Sequence, residues 1–82
     1  MKLTNAIKKL SKHGDVKQDG NLFSAVIGKH VVEFMANGRI EEGTSITCIR
    51  TRRLSDQDDS MTDYCAGVWC SNLSQAIRLA TT

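Results

Sequence analysis

Ile46-Thr47-Cys48-Ile49-Arg50-Thr51-Arg52-Arg53 is a β-branched run that ends in cations. Asp56-Gln57-Asp58-Asp59-Ser60-Met61-Thr62-Asp63 then reverses the charge, and Tyr64-Cys65-Ala66-Gly67-Val68-Trp69-Cys70 returns as a second apolar run. Two strand-like segments around a polar loop predict a hairpin, placed here at the centre of a small sheet. In strict alternation Arg50 and Arg52 share one strand face and Arg53 takes the other. Tyr64, Ala66, Val68 and Cys70 likewise oppose Cys65, Gly67 and Trp69. The pattern leaves open which face, and so which aromatic, is covered.

Working back from this hairpin, Leu22-Phe23-Ser24-Ala25-Val26-Ile27 and His30-Val31-Val32-Glu33-Phe34-Met35-Ala36 are strands joined by a glycine-first turn at Gly28-Lys29. Asn37-Gly38 is the strongest hairpin signal in the chain. Arg39-Ile40-Glu41-Glu42 is a short strand or a loop. Asp15-Val16-Lys17-Gln18 is a short strand turned by Asp19-Gly20-Asn21.

At the N-terminal end, Leu3, Ala6, Ile7 and Leu10 fall on one helical face, with Thr4 as a candidate N-cap and Gly14 at the C′ position. Lys8, Lys9 and Lys12 point away from that face, as a solvated surface does. Downstream, Asn72 and Gln75 have capping-box spacing, and Ser71 is a nearby alternative cap. They precede a helix with an apolar face of Leu73, Ala76, Ile77 and Ala80. Helix, strands and helix define an α+β fold: an antiparallel sheet of four to five strands, a meander of hairpins, with the N-terminal and C-terminal helices packed on one face.

With 82 residues the chain is a single domain, 1–82, too short for a second core. Hydrophobic residues at 40% and charged residues at 24% exclude a disordered chain. The net charge of +2 is small for a dedicated nucleic-acid binder of this size. The three cysteines, Cys48, Cys65 and Cys70, match no disulfide framework. No leader and no run of about 20 apolar residues is read in the sequence, so a cytoplasmic protein with reduced thiols is expected.

Several groups are candidates for chemistry. Asp56, Asp58 and Asp63 are weak metal candidates, because Met61 and Gly67 stand where a calcium loop needs glycine and glutamate. No metal and no cofactor is therefore expected. Arg39, Arg50, Arg52 and Arg53 could bind phosphates or an acidic protein surface. Pairing of the strand arginines with Glu33, Glu41 or an aspartate is the favoured alternative. Asp58 and Asp59 at the loop, with Tyr64 and Trp69 on the second strand, complete the interaction candidates. No catalytic motif is present, and a non-enzymatic protein is expected.

The element order resembles the double-stranded-RNA-binding domain. That family carries a lysine-rich motif at its second helix, where this chain has Asn72-Leu73-Ser74-Gln75-Ala76-Ile77, and the match is rejected on that ground. Met1-Lys2-Leu3-Thr4-Asn5-Ala6-Ile7-Lys8-Lys9-Leu10 is similar to small proteins of bacteriophages and proteobacterial mobile elements. Asp58-Asp59-Ser60-Met61-Thr62-Asp63-Tyr64-Cys65-Ala66-Gly67 and Asn72 to Ile77 resemble them too. The resemblance implies a cytoplasmic accessory protein that binds a host component, and it implies no activity. The expected function is a protein-interaction module whose partner is a host protein or a second copy of the chain. The alternative is a small nucleic-acid-binding module using Lys8, Lys9, Lys12, Arg50, Arg52 and Arg53, with no role for a membrane.

Overall fold

The computed structural model describes residues 1–54 and 67–81. Helix α1 (Leu3–Ser11) precedes strands β1 (Lys17–Asp19), β2 (Leu22–Ile27), β3 (His30–Ala36), β4 (Ile46–Arg53) and β5 (Val68–Trp69), and helix α2 (Leu73–Thr81) closes the chain. The strands form one five-stranded sheet in the order β1-β2-β3-β4-β5, each antiparallel to the next. This is the predicted α+β meander with a helix from each end packed against it.

One apolar cluster holds the layers together. Leu3, Ala6 and Leu10 of α1 and Leu73, Ala76, Ile77 and Ala80 of α2 meet Phe23, Ala25, Val32, Phe34 and Ile49 of the sheet. The helical 3.6 period and the strand period of two each deliver their apolar residues to this layer. Phe23 and Phe34 are opposite each other in β2 and β3 and stack with ring centroids 5.6 Å apart. Thr51 Oγ1 donates to the Ala76 carbonyl at 2.7 Å, fastening α2 to β4. Lys9 Nζ donates to Ser74 Oγ and links the two helices.

The N-terminus corrects one expectation. Thr4 does not cap α1; the N-cap is Lys2, which makes no side-chain cap bond. Lys2 forms an isolated antiparallel bridge with Ser45, and the Leu3 amide donates to the Thr44 carbonyl at 2.6 Å. A donor that a helix start leaves unpaired is thus satisfied by the β3–β4 loop rather than by a side chain. Gly14 follows α1 without a positive φ. It is needed for closeness instead, since a Cβ there would lie 2.6 Å from the Val26 carbonyl oxygen.

Ile27 opposes His30 across the expected Gly28-Lys29 turn, with Gly28 at φ +61. Asn37-Gly38 does not close a tight turn. Ala36 opposes Ile46, so residues 37–45 form a loop, and 39–42 belong to it rather than to a strand. Asn37 lacks the positive φ that a two-residue type I′ turn requires. Thr44 organises the loop instead: its hydroxyl donates to the Arg39 carbonyl at 2.6 Å and accepts from the Glu41 amide at 3.1 Å.

Strand β4 departs from strict alternation. Its register shifts between Glu33 and Met35 of β3, where the partners are Arg50 and Thr47. Two residues, Cys48 and Ile49, therefore oppose Phe34 alone, a β-bulge. Cys48 is the described non-glycine residue with positive φ, at +53. The extra residue brings Ile46 and Ile49, which simple alternation would put on opposite faces, to the same apolar layer.

Candidate interaction surface

The sheet face turned away from the helices carries an in-register row across all five strands: Lys17, Ser24, Glu33, Arg50 and Trp69. Cross-strand partners point to the same side, so the register places Trp69 on this outer face and leaves Val68, the partner of Thr51, on the helix side. The strand pairing expected around Ile46–Cys70 is thus present as the β4–β5 pair, but it lies at the end of the described sheet rather than at its centre, which β3 occupies. Gly67 at φ +82 leads into β5; a Cβ on it would stand 2.7 Å from the Thr51 carbonyl oxygen.

Glu33 organises the middle of the row. Its Oε1 accepts from Arg50 Nη2 at 2.9 Å, Arg50 Nε at 3.2 Å and Arg52 Nε at 2.8 Å. Glu33 is 3% exposed and Arg50 not at all. Both arginines have further partners. The favoured cross-strand pairing is what the structure contains, and Arg50 is a buried structural cation rather than part of an open patch. A buried charge is tolerated when pairing and hydrogen bonding compensate its desolvation, and among the described residues no buried side-chain nitrogen or oxygen lacks a partner.

The other sequence candidates are dispersed. Arg39 sits in the exposed 37–45 loop, at the opposite end of the β3–β4 hairpin from Arg53. Arg53 is exposed and shares the helix-side face with His30, its partner in β3. Asp56, Asp58, Asp59, Asp63 and Tyr64 lie outside the described residues. Among the described residues no group of His, Cys, Asp and Glu could hold a metal ion. Cys48 is exposed and Cys70 half-buried, both as free thiols. Burial pushes the Cys70 thiol up, partly offset by hydrogen bonding with Thr51. No helix among the described residues is long and apolar enough to cross a membrane.

Apolar side chains are exposed at the β4–β5 margin. Leu54 follows β4 at 51% exposure, Val68 stands at 54% and Trp69 at 40%. Two neighbouring hollows lie along this margin. One, of about 660 Å³, is lined by Gly28, Lys29, His30, Arg53 and Leu54. The other, of about 390 Å³, shares His30 and Arg53 and continues to Val68 and Leu79. Sequence reasoning singled out Trp69 and Arg53 but missed Lys29 and His30, which look like ordinary turn and strand-start residues until the register sets them beside Arg53.

The α1 lysines do not share a surface with Arg50 and Arg52. Lys8, Lys9 and Lys12 ride on α1 and its C-cap, on the helix side of the sheet, while Arg50 and Arg52 are on the outer side with Glu33. No family model, no curated protein and no solved structure matches the chain.

Proposed function

We propose that the chain is a non-enzymatic protein-interaction module that binds its partner along the β5 margin of the sheet. The observation that carries this reading is the exposure of adjacent Val68 and Trp69, one on each face of β5, the last strand of the described sheet. A tryptophan held on a rigid strand, with a guanidinium against its ring, supplies contact area at little cost in side-chain ordering. An edge strand also offers unpaired backbone groups to an incoming segment. The free thiols suit a reducing cytoplasm, and the resemblance to phage and mobile-element proteins suits a host protein as the partner.

The nucleic-acid alternative needs helix and strand cations to converge. The sheet separates Lys8, Lys9 and Lys12 from Arg50 and Arg52, and both of those arginines are already paired with Glu33, which weighs against it.

The test is affinity capture from a bacterial lysate with crosslinking, together with light scattering after size exclusion. Wild type and V68D/W69S would be compared after circular dichroism has shown that both are folded. A specific crosslinked partner or a dimer lost in the variant is expected. A wild-type monomer that captures nothing beyond what the variant captures overturns the reading.

A further inference from the structure

Arg50 and Arg52 pair with Glu33, whereas Lys29 and Arg53, at the end of the same hairpin, pair with no carboxylate among the described residues. Lys29 sits in the β2–β3 turn, and His30 and Arg53 are cross-strand partners immediately beyond it. The Leu54 amide donates to the Lys29 carbonyl at 2.8 Å, which holds the turn against the end of β4. Lys29 and Arg53 are exposed and His30 is half-buried. Among the described residues no carboxylate pairs with any of the three. They line the larger hollow, and His30 and Arg53 also border the second one, whose far side is Val68 and Leu79.

We infer that this groove is the docking site for an acidic segment of a partner protein. Its carboxylates would meet Lys29, His30 and Arg53, and an apolar side chain next to them would rest on Val68. The inference deepens the protein-interaction reading and rests on it, because Val68 belongs to both surfaces.

Two observations select the occupant. The first is charge complementarity: Lys29 and Arg53, exposed, mounted on hydrogen-bonded backbone and without a carboxylate partner among the described residues, attract carboxylates and steer their approach. Arginine can accept a carboxylate in a two-point contact, and lysine adds a mobile point charge. The second is the mixed wall. A short cationic cluster running directly into exposed aliphatic surface matches a peptide that alternates charge and apolar side chains. A nucleic-acid strand would instead need cations that continue to follow its phosphates.

The experiment titrates the full ¹⁵N-labelled chain with a fluorescent peptide rich in Asp, Glu and Leu. Parallel titrations use the Asn/Gln version of the peptide, its Ser-for-Leu version, inorganic phosphate and a single-stranded DNA oligonucleotide. Amide shifts at Gly28, Lys29, His30, Leu54 and Val68 are expected with the acidic peptide. Loss of its carboxylates or its leucines should each weaken binding by about tenfold. K29E/R53E should weaken it by at least about tenfold, while K12E changes it less than about twofold. Both variants alter exposed side chains, and circular dichroism checks their fold.

Absence of shifts at these residues with saturating peptide overturns the inference. So does tighter binding of the oligonucleotide or of phosphate in the same groove. Peptide binding that survives K29E/R53E but is lost in V68D/W69S overturns the groove as the acidic site, yet leaves the β5 reading standing. Partner capture unaffected by V68D/W69S sinks the β5 reading itself, whatever the peptide does.

Discussion

Arg50 and Trp69 are cross-strand partners whose side chains meet: the guanidinium carbon of Arg50 stands 5.5 Å from the centroid of the Trp69 ring. The arginine is wholly buried and the indole 40% exposed, so the ring covers one side of a buried cation and presents the rest of its surface to solvent. The contact joins the ion-paired centre of the outer face to the proposed binding margin.

This arrangement fixes what Trp69 should report. A cation–π contact contributes about 0.5–1 kcal/mol when exposed and about 2 kcal/mol when the cation is desolvated. W69A is expected to lower unfolding stability in urea by about 1–2 kcal/mol. Acrylamide should quench the native fluorescence readily. A loss above about 3 kcal/mol, the range of a buried aromatic, together with weak quenching, would place the indole in a core instead.

Glu33 should be far less tolerant. Removing the carboxylate leaves Arg50 buried with its principal partner missing, and breaking a buried pair in this way costs about 3–5 kcal/mol. A domain of this size has little more stability than that, so E33A is expected to be largely unfolded at room temperature. Replacing Glu33 and Arg50 together by apolar residues, as in E33L/R50M, should recover part of the loss in a denaturation cycle. If E33A cost less than about 1 kcal/mol, the carboxylate would not be the counter-charge described here.

Cys48 occupies the bulge with a left-handed backbone, a conformation that costs a non-glycine residue about 1–2 kcal/mol. Glycine gives back part of that advantage through its greater freedom when unfolded, so C48G should stabilise by up to about 1 kcal/mol and C48V should destabilise. The thiols should also differ in reactivity. Burial raises the Cys70 thiol above its ordinary value, so less of it is thiolate at neutral pH. Alkylation followed by peptide mass mapping should find Cys48 modified before Cys70, and the lag should shrink as pH rises. Equal rates at neutral pH would contradict this.

The two helix starts make opposite predictions. The Gln75 amide donates to Asn72 Oδ1 at 2.8 Å, while Gln75 Oε1 accepts from the Ser71 amide at 3.1 Å, one residue before the position a standard capping box uses. N72A should cost about 1 kcal/mol. T4A should change stability by less than about 0.5 kcal/mol, because α1 starts from a backbone bridge and Thr4 is an exposed helical residue. Thermal melts of the two variants check both, and a costly T4A would restore Thr4 as the cap.

Most element types were legible because their signals are local. The apolar faces of α1 and α2, the β2 and β3 strands, the Gly28 turn and the Asn72 cap each follow from spacing within a few residues. The misread points involve partners distant in sequence. Lys2 replaces Thr4 at the helix start because Ser45 and Thr44 are there to meet it. Asn37-Gly38 starts a long loop because Ser45, accepting from the Asn37 amide at 2.9 Å, closes the hairpin farther along.

For the stretch from Ile46 to Cys70, the sequence by itself determined two strands and the separation of Arg50 and Arg52 from Arg53. Those follow from the two-residue period of an extended chain. Only the tertiary structure decided which side is outside. The helices cover the face bearing Thr51, and register then sends Arg50 and Trp69 to the other. Tertiary contact also decided the bulge that turns Ile46 and Ile49 inward, the burial of Arg50 on Glu33, and the meeting of Lys29 and His30 with Arg53. Alternation says which residues share a face, but only packing and strand register say what that face meets.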